Sequence, residues 1–282
     1  MKKYQKQSGM TVDAEYGEEQ GNPFFEALPE ILGKEEVMKR LRSQIPYPKD
    51  IQKRSPEERR REVMEISKWF YPMDYMYTIY DMLYRAMSAT YQTKNIVDHI
   101  RQMNDLYMDF RTGREREFQY ATQAYTGAVL GVPGIGKTST VQRCLSLMPQ
   151  VIVHKNYGGK PMYTKQINYL FVECPSDCSV RTLAFNIFSA IDRAIGSDYL
   201  KQATYQRAVA ASATTTKLKI ICMNHHIGLI VIDEIQNAIQ TAVKNRQLKP
   251  LVKFLVELTN ETSTGICFCG TMEAEDLFMS QE

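Results

Sequence analysis

The chain has 282 residues, of which 44% are hydrophobic and 24% are charged, and its formal net charge is +3. These values are those of an ordinary soluble globular protein that can bury one large core or two modest ones. The sequence contains neither an apolar signal segment nor an apolar run of about 18 residues, so we expect no membrane association. Residues 1–120 have a net charge of zero, and the excess of +3 falls in the rest of the chain.

The six cysteines lie mostly in apolar segments, where a free cysteine packs as a small hydrophobic residue. Cys174 and Cys178 have no second pair at the spacing of a zinc site, so we do not expect zinc there. Free thiols indicate a reducing compartment. We therefore expect a cytoplasmic protein.

The N-terminal part of the chain divides at residue 21. Residues 1–21 are polar and lack periodicity, so we expect a disordered or partner-docked tail. The segment NPFFEALP (22–29) follows, and we name it the NPFF patch. Because a flexible tail does not need two adjacent phenylalanines, we expect this patch to dock onto the main domain.

Helical patterns fill the remainder of the N-terminal region, which we delimit as residues 22–124. A short amphipathic helix is predicted at 33–41, and Ser55 begins a second helix as a cap that precedes proline and two acids. Apolar residues recur every three or four positions from Tyr75 to Met87, which predicts an amphipathic helix. Arg59 to Arg61 form a solvated helix face or, alternatively, contact phosphate.

Residues 125–282 begin with a strand, a glycine-rich turn and a helix. The apolar run at 126–130 is typical of a buried strand, and residues from Val141 onward have helical spacing. The intervening residues fit G-x-x-x-x-G-K-[ST], the phosphate-binding loop or P-loop. The predicted nucleotide-contacting residues are Gly131, Val132, Pro133, Gly134, Ile135, Gly136, Lys137, Thr138 and Ser139.

The chemistry of this loop follows from its backbone. Glycines let consecutive N–H groups point toward an anion, and the next helix adds its positive N-terminal end. Lys137 is predicted to contact the terminal phosphates of ATP, and Thr138 to hold Mg²⁺ through its hydroxyl. A glycine-rich turn with an exposed lysine is the alternative. The NPFF patch could also close over the adenine base, or simply pack on the surface.

A second apolar strand, residues 228–232, ends in Asp233 and Glu234. In an open α/β sheet, a carboxylate at the carboxyl end of a strand is placed to support Mg²⁺, which we assign to Asp233. Glu234 could polarise the attacking water as a general base. A solvated strand end is the alternative for this pair alone. Together with the P-loop, it predicts a P-loop ATPase with Lys137, Asp233 and Glu234 as catalytic residues.

Strands and helices alternate in the remaining sequence, with a turn-rich connector at residues 155–161. We predict strands at 150–154, 165–173 and 265–271, and helices at 179–195, 198–221 and 248–258. This alternation predicts an α/β fold with a parallel, doubly wound sheet, preceded by the mostly helical N-terminal region.

Six stretches together resemble the AAA+ transposition regulators of the TnsC/TniB type. The P-loop and the acidic strand belong to every AAA+ protein, whereas the combination of these segments in this order is more specific. The stretches are NPFFEALP (22–29), GVPGIGKTST (131–140), MPQVIVHK (148–155), NIFSAIDRAIGSDY (186–199), HIGLIVIDEIQNA (226–238) and ICFCGTMEAEDLF (266–278).

This resemblance implies a bacterial, cytoplasmic ATPase that uses Mg²⁺ and oligomerises on double-stranded DNA as a ring or filament. It would connect a target-selection protein to the transposase. Basic residues would follow the phosphate backbone without recognising bases, and our candidates are Lys155, Lys160, Lys201 and Arg207. Thr271 would be the polar sensor of the γ-phosphate, or simply a threonine at a strand end.

The resemblance stops near Phe278, before the helix with an arginine finger and the helical lid that follow in AAA+ proteins. We therefore expect no lid and weak hydrolysis, since such an arginine is worth roughly 10³–10⁵ in rate. Arg246 is the rival candidate for the finger. Two other classes stay open: a helicase-loader or replication-initiator-like AAA+ ATPase, and a STAND-type regulatory ATPase, which would need repeats that are not visible here.

Overall fold

The computed structural model describes residues 9–17, 21–44, 49–92, 108, 111–112, 124–177, 179–205, 211–237 and 248–275. Within these ranges a four-stranded parallel sheet carries helices on both faces, and a separate three-stranded sheet is present. None of the described helices combines the length and the apolar character needed to cross a bilayer.

The parallel sheet aligns all its strands in one direction. Its order is β2 (Thr126–Leu130), β7 (Gly265–Gly270), β6 (Leu229–Asp233) and β5 (Tyr169–Glu173). Both central strands, β6 and β7, are buried along their whole length, which explains their unbroken apolar sequences. We call the edge where the strands end the carboxyl edge and the opposite one the amino edge.

Helices cover both faces of this sheet because alternate strand residues point in opposite directions. Ile230 and Ile232 belong to one core, and Leu229 and Val231 belong to the other. The first core includes residues of α6 (Val180–Ile195), α8 (Ala211–Asn224) and α9 (Leu248–Thr262). The second includes residues of α4 (Tyr75–Gln92) and α5 (Lys137–Leu145). The prediction of a doubly wound α/β fold is confirmed.

The N-terminal region supplies α4 and three shorter helices. These are α1 (Pro23–Glu26), α2 (Lys34–Leu41) and α3 (Pro56–Glu65). Ser55 begins α3 as predicted: its hydroxyl accepts a hydrogen bond from Glu58 N at 3.2 Å, and the Glu58 carboxylate accepts one from Ser55 N at 2.9 Å. This reciprocal capping satisfies two backbone donors of the exposed helix start.

The second sheet was not foreseen. It consists of β1 (Thr11–Asp13), β3 (Val151–Tyr157) and β4 (Lys160–Ile167), with β1 parallel and β4 antiparallel to β3. Part of the segment expected to be a disordered or partner-docked tail thus forms a strand. The predicted connector over 155–161 is mostly strand, because the hairpin turns within Gly158 and Gly159, at φ 59° and 70°.

The prediction of a single strand over residues 165–173 is wrong. Asn168 interrupts it, so the chain leaves the hairpin at Ile167 and enters the parallel sheet at Tyr169. The buried Asn168 side chain donates to Pro149 O at 2.9 Å and accepts from Gln166 Nε2 at 2.9 Å. These bonds satisfy polar groups that have left water.

Two stretches of the helical segment predicted over 198–221 are described, and both are helical. A short helix, α7 (Tyr199–Tyr205), precedes α8, and residues 206–210 lie outside the described residues. Gly196 ends α6 in the left-handed conformation, φ 73°, as its position predicted.

The NPFF patch lies at the amino edge. Phe24 is only 2% exposed and stacks on His226 with ring centroids 3.8 Å apart. The Asn22 side chain donates to Tyr91 O at 2.9 Å. Because His226 precedes β6, Phe24 is at the opposite edge from the P-loop that follows β2. This position of Phe24 favours packing of the NPFF patch over its closure on an adenine base.

Candidate nucleotide-binding site

The P-loop joins the end of β2 to the start of α5. Gly134 and Gly136 have φ values of 81° and 89°, which are accessible to glycine at little cost. Gly136 is the N-cap of α5, and in the described part of the chain no side chain caps this helix start. The first amides of α5 are therefore available to an anion, and the helix dipole favours negative charge there.

Lys137 follows the loop and folds back along it. Its ammonium donates to Gly131 O and to Val132 O, each at 2.9 Å. An ammonium group carries three donors, so a third is available to a phosphate oxygen. The lysine is thus held at the loop by bonds that phosphate oxygens could replace.

Thr138 connects the P-loop to the acidic end of β6. Its Oγ1 donates to Asp233 Oδ2 at 2.8 Å, and Asp233 is only 5% exposed. The other carboxylate oxygen, Oδ1, accepts from Glu234 N at 3.0 Å. A hydroxyl and a carboxylate at hydrogen-bonding distance are oxygen ligands of the kind Mg²⁺ prefers, so a magnesium ion fits this donor set.

A second group of polar residues lies beside this pair. Glu234 has φ 56°, an uncommon conformation for a residue with a side chain. Its carboxylate accepts a hydrogen bond from Gln236 Nε2, and Gln236 Oε1 accepts one from Thr271 N at 3.1 Å. Gln236 is not among the residues predicted from the sequence; the signal for it is its position two residues after Glu234, at the same strand end.

Buried groups around the acidic pair differ in how well they are satisfied. Thr271 Oγ1 is buried and makes no hydrogen bond within the described residues. Burial raises the pKa of the Cys269 thiol, and the Asp233 carboxylate acts in the same direction, so this thiol stays protonated. The unpaired Thr271 hydroxyl is therefore the group in this set that a ligand oxygen would satisfy.

These elements enclose a cavity of about 400 Å³. It brings together most of the residues that the sequence predicted, and its lining consists of Pro133, Gly134, Gly136, Lys137, Thr138, Ser139, Asp233, Glu234, Gln236, Gly270 and Thr271. Val132 and Ile135 have exposed side chains outside this lining, and Gly131 contributes its carbonyl to Lys137. A triphosphate fits this cavity because open amides, an ammonium group and an unpaired hydroxyl face one space.

The candidate DNA contacts lie elsewhere. Lys155 and Lys160 line an open groove of about 900 Å³ on the β3–β4 hairpin, and Lys155 also pairs with Asp13 at 2.7 Å. Lys201 is exposed on α7, with its ammonium 5.8 Å from the Tyr205 ring centroid. Arg207, and Arg246 as the rival arginine finger, lie outside the described residues.

A P-loop between strand and helix, facing a second strand end with two carboxylates, defines a P-loop nucleotide-binding protein of the α/β class. Comparison with known families matches an AAA domain to residues 120–278, more than half of the 282 residues. The chain therefore belongs to the AAA domain family, whose members are in general nucleotide-hydrolysing ATPases. The search of curated proteins found no match.

Proposed function

We propose that this protein binds ATP with Mg²⁺ in the cavity at the carboxyl edge and hydrolyses it to ADP and phosphate. The observation that carries this proposal is the hydrogen bond from Thr138 Oγ1 to Asp233 Oδ2, at 2.8 Å. It joins two oxygen ligands, one from the phosphate-binding loop and one from the neighbouring strand. A solvated strand end or an unrelated glycine turn would not need this contact.

Each side chain then has a separate task. The amides of the P-loop and Lys137 bind the phosphates, and Thr138 and Asp233 hold the metal. A magnesium ion held by these two residues would supply positive charge to offset the charge that develops on the phosphates. Glu234 orients the attacking water and accepts its proton, since its carboxylate lines the same cavity. Thr271 donates its unpaired hydroxyl to the terminal phosphate.

We further propose that ATP binding controls assembly of the protein on double-stranded DNA, linking target-site selection to a transposase. The six resembling stretches support this role, as do the exposed Lys155 and Lys160 on the hairpin groove. Lysines contact phosphates as point charges, so such binding would be independent of base sequence. The alternative is a helicase-loader or replication-initiator-like ATPase that shares the nucleotide site.

Duplex binding measured by fluorescence anisotropy tests the DNA role. We expect the wild type to bind unrelated duplexes more tightly with ATP than with ADP. The double substitution Lys155→Gln and Lys160→Gln should weaken binding to all duplexes and reduce the salt slope by about 1 per lysine. Lys253→Gln is the matched control, because Lys253 is an exposed lysine on α9, paired with Glu257.

Two outcomes would change this assignment. Absence of ATP-dependent binding to plain duplex DNA would contradict the transposition role while leaving ATP hydrolysis intact. Binding to another ATPase ring, without duplex binding, would favour the helicase-loader alternative.

A further inference from the structure

Hydrogen bonds join three residues of the cavity lining, Thr271, Gln236 and Glu234. Thr271 N donates to Gln236 Oε1 at 3.1 Å, and Gln236 Nε2 donates to the Glu234 carboxylate. One amide side chain thus connects the end of β7 to the end of β6. Gln236 is the middle member, and it has no role in the ATPase chemistry described above.

The surrounding backbone is built for this connection. A Cβ atom on Gly270 would lie 2.6 Å from Gln236 Oε1, so glycine is required for the amide to lie across the strand end. Ile235 N donates to Cys269 O at 3.1 Å, which fixes the chain directly after Glu234 against β7. Glu234 itself adopts φ 56°. Unfavourable backbone conformations of this kind persist only where neighbouring contacts hold them.

These hydrogen bonds link Thr271, whose hydroxyl would contact the terminal phosphate, to Glu234, whose carboxylate would contact the attacking water. Thr271 carries the buried hydroxyl that is unpaired within the described ranges, and it lines the cavity. Glu234 carries the carboxylate that would accept the proton of water. A carboxylate on a partly exposed cavity wall has several rotamers, and a donor amide selects one of them. Movement of the β7 end would be transmitted to that amide through Thr271 N.

We propose that Gln236 is a positioning residue, which orients the Glu234 carboxylate and couples it to the strand end at Thr271. This inference rests on the proposed ATP hydrolysis. Gln236 accepts from Thr271 with its carbonyl oxygen and donates to Glu234 with its nitrogen, so one side chain serves both ends. It neither binds the phosphates nor accepts a proton.

The substitution Gln236→Leu removes both hydrogen bonds at similar side-chain volume. We expect kcat for ATP hydrolysis to fall about 10- to 100-fold, the effect of misplacing a reacting group by about 1 Å. The KM and Kd for ATP should stay within about threefold of wild type, since the phosphate contacts are unchanged. Gln236→Glu keeps an acceptor for Thr271 N but loses the donor to Glu234, so it should lower kcat similarly.

A double-substitution cycle distinguishes positioning from a structural role. If Gln236 acts through Glu234, then Gln236→Leu should have almost no further effect on kcat in a Glu234→Gln background. Gln202→Leu is the matched control: the exposed Gln202 Nε2 on α7 donates to Asp198 Oδ1 at 2.6 Å, and Gln202 lies outside the cavity lining. It should leave kcat unchanged.

The proposal is overturned if Gln236→Leu retains kcat within about threefold of wild type, or if its effect in the Glu234→Gln background equals its effect in wild type. A variant that loses ATP affinity and thermal stability in parallel with kcat would also overturn it, in favour of a structural role. If the wild type binds no ATP, both the proposed function and the positioning role of Gln236 are contradicted. If the wild type hydrolyses ATP and Gln236→Leu does too, only the positioning role fails.

Discussion

Two sets of buried polar groups, one near the amino edge of the parallel sheet and one at its carboxyl edge, differ in their hydrogen bonds. At the amino edge, His154 bonds to Tyr16 and to Gln166, at 2.6 and 2.8 Å, and Gln166 donates in turn to Asn168. The buried Tyr91 hydroxyl contacts His226 O at 2.8 Å. These groups satisfy one another. At the carboxyl edge, the Thr271 hydroxyl has no partner in the described part of the chain.

This difference in hydrogen bonding distinguishes polar groups that stabilise the fold from polar groups that serve the function. Polar groups that are fully bonded to one another fix the fold, because leaving any of them unpaired in the interior would be costly. Polar groups that face a shared cavity, with one hydroxyl unpaired and Glu234 at φ 56°, are arranged for a ligand. The amino edge should therefore respond to substitution through stability, and the carboxyl edge through catalysis.

The largest expected effect is at the carboxyl edge. Glu234→Gln should lower kcat for ATP hydrolysis by about 10²–10⁴, the usual contribution of a general base. ATP affinity and the free energy of unfolding should change little, because the amide keeps the size of the carboxylate. Steady-state phosphate release and calorimetric ATP binding measure the two quantities.

Glu173→Gln is the control for this substitution, since Glu173 also ends a strand at the carboxyl edge but lies outside the cavity lining. It should leave kcat unchanged. If Glu234→Gln hydrolyses ATP at the wild-type rate, the assignment of Glu234 as general base is wrong.

At the amino edge, Phe24→Ala should reduce the free energy of unfolding by about 3–5 kcal/mol, the cost of removing a buried aromatic side chain. Phe24 is 2% exposed and stacks on His226. The neighbouring Phe25 is 37% exposed, so Phe25→Ala should cost about 1 kcal/mol or less. Urea unfolding of both variants compares them.

The folded fraction of Phe24→Ala should bind ATP as tightly as wild type, because Phe24 lies at the other edge from the P-loop. A loss of ATP affinity without loss of stability would contradict the separate roles of the two edges. It would favour closure of the NPFF patch over the adenine base.

A smaller effect is expected from pH at the amino edge. Burial lowers the pKa of His154 below its usual value, although the hydrogen bond to Gln166 acts in the opposite direction. As pH falls through about 6.5, the unfolded chain takes up this proton before the folded protein does, so the folded state loses stability. Urea midpoints at about pH 7.5 and 5.5 should therefore show lower stability at the acidic pH.

His154→Gln is the comparison for this measurement, and it should lose less stability than wild type between the two pH values. His225, whose pKa burial also lowers, remains in both proteins and contributes equally. An identical loss in wild type and variant would show that His154 does not titrate in this range.

The residues at the carboxyl edge could be predicted from local sequence patterns, because each functional group there belongs to a short, contiguous motif. The strand, glycine turn and helix around Lys137 are contiguous, and a parallel sheet places the end of β6 beside the P-loop. The loop and the acidic pair could therefore be assigned to one site before the structure was known. Gln236 could not be assigned, since its role depends on Thr271, which is 35 residues away.

The amino edge and the second sheet were harder to predict because they depend on contacts between distant segments. Thr11 pairs with Val151, and Phe24 with His226, and no local period records such pairings. The Gly158-Gly159 turn is a hairpin signal, but the strand predicted at 150–154 ends before that turn, whereas β3 extends to Tyr157. Asn168 could not be recognised as a strand break, because its bonds to Pro149 and Gln166 form only in the folded chain.

Calorimetric binding of ATP in the presence of Mg²⁺, to wild type and to Lys137→Ala, tests the central claim most directly. The account predicts that wild type binds ATP, that chelation of Mg²⁺ weakens binding, and that Lys137→Ala loses about 10- to 100-fold in affinity through a lost charge-assisted hydrogen bond. Lys253→Ala should bind as wild type does. Equal ATP affinity in wild type and Lys137→Ala would contradict the placement of the nucleotide at the P-loop.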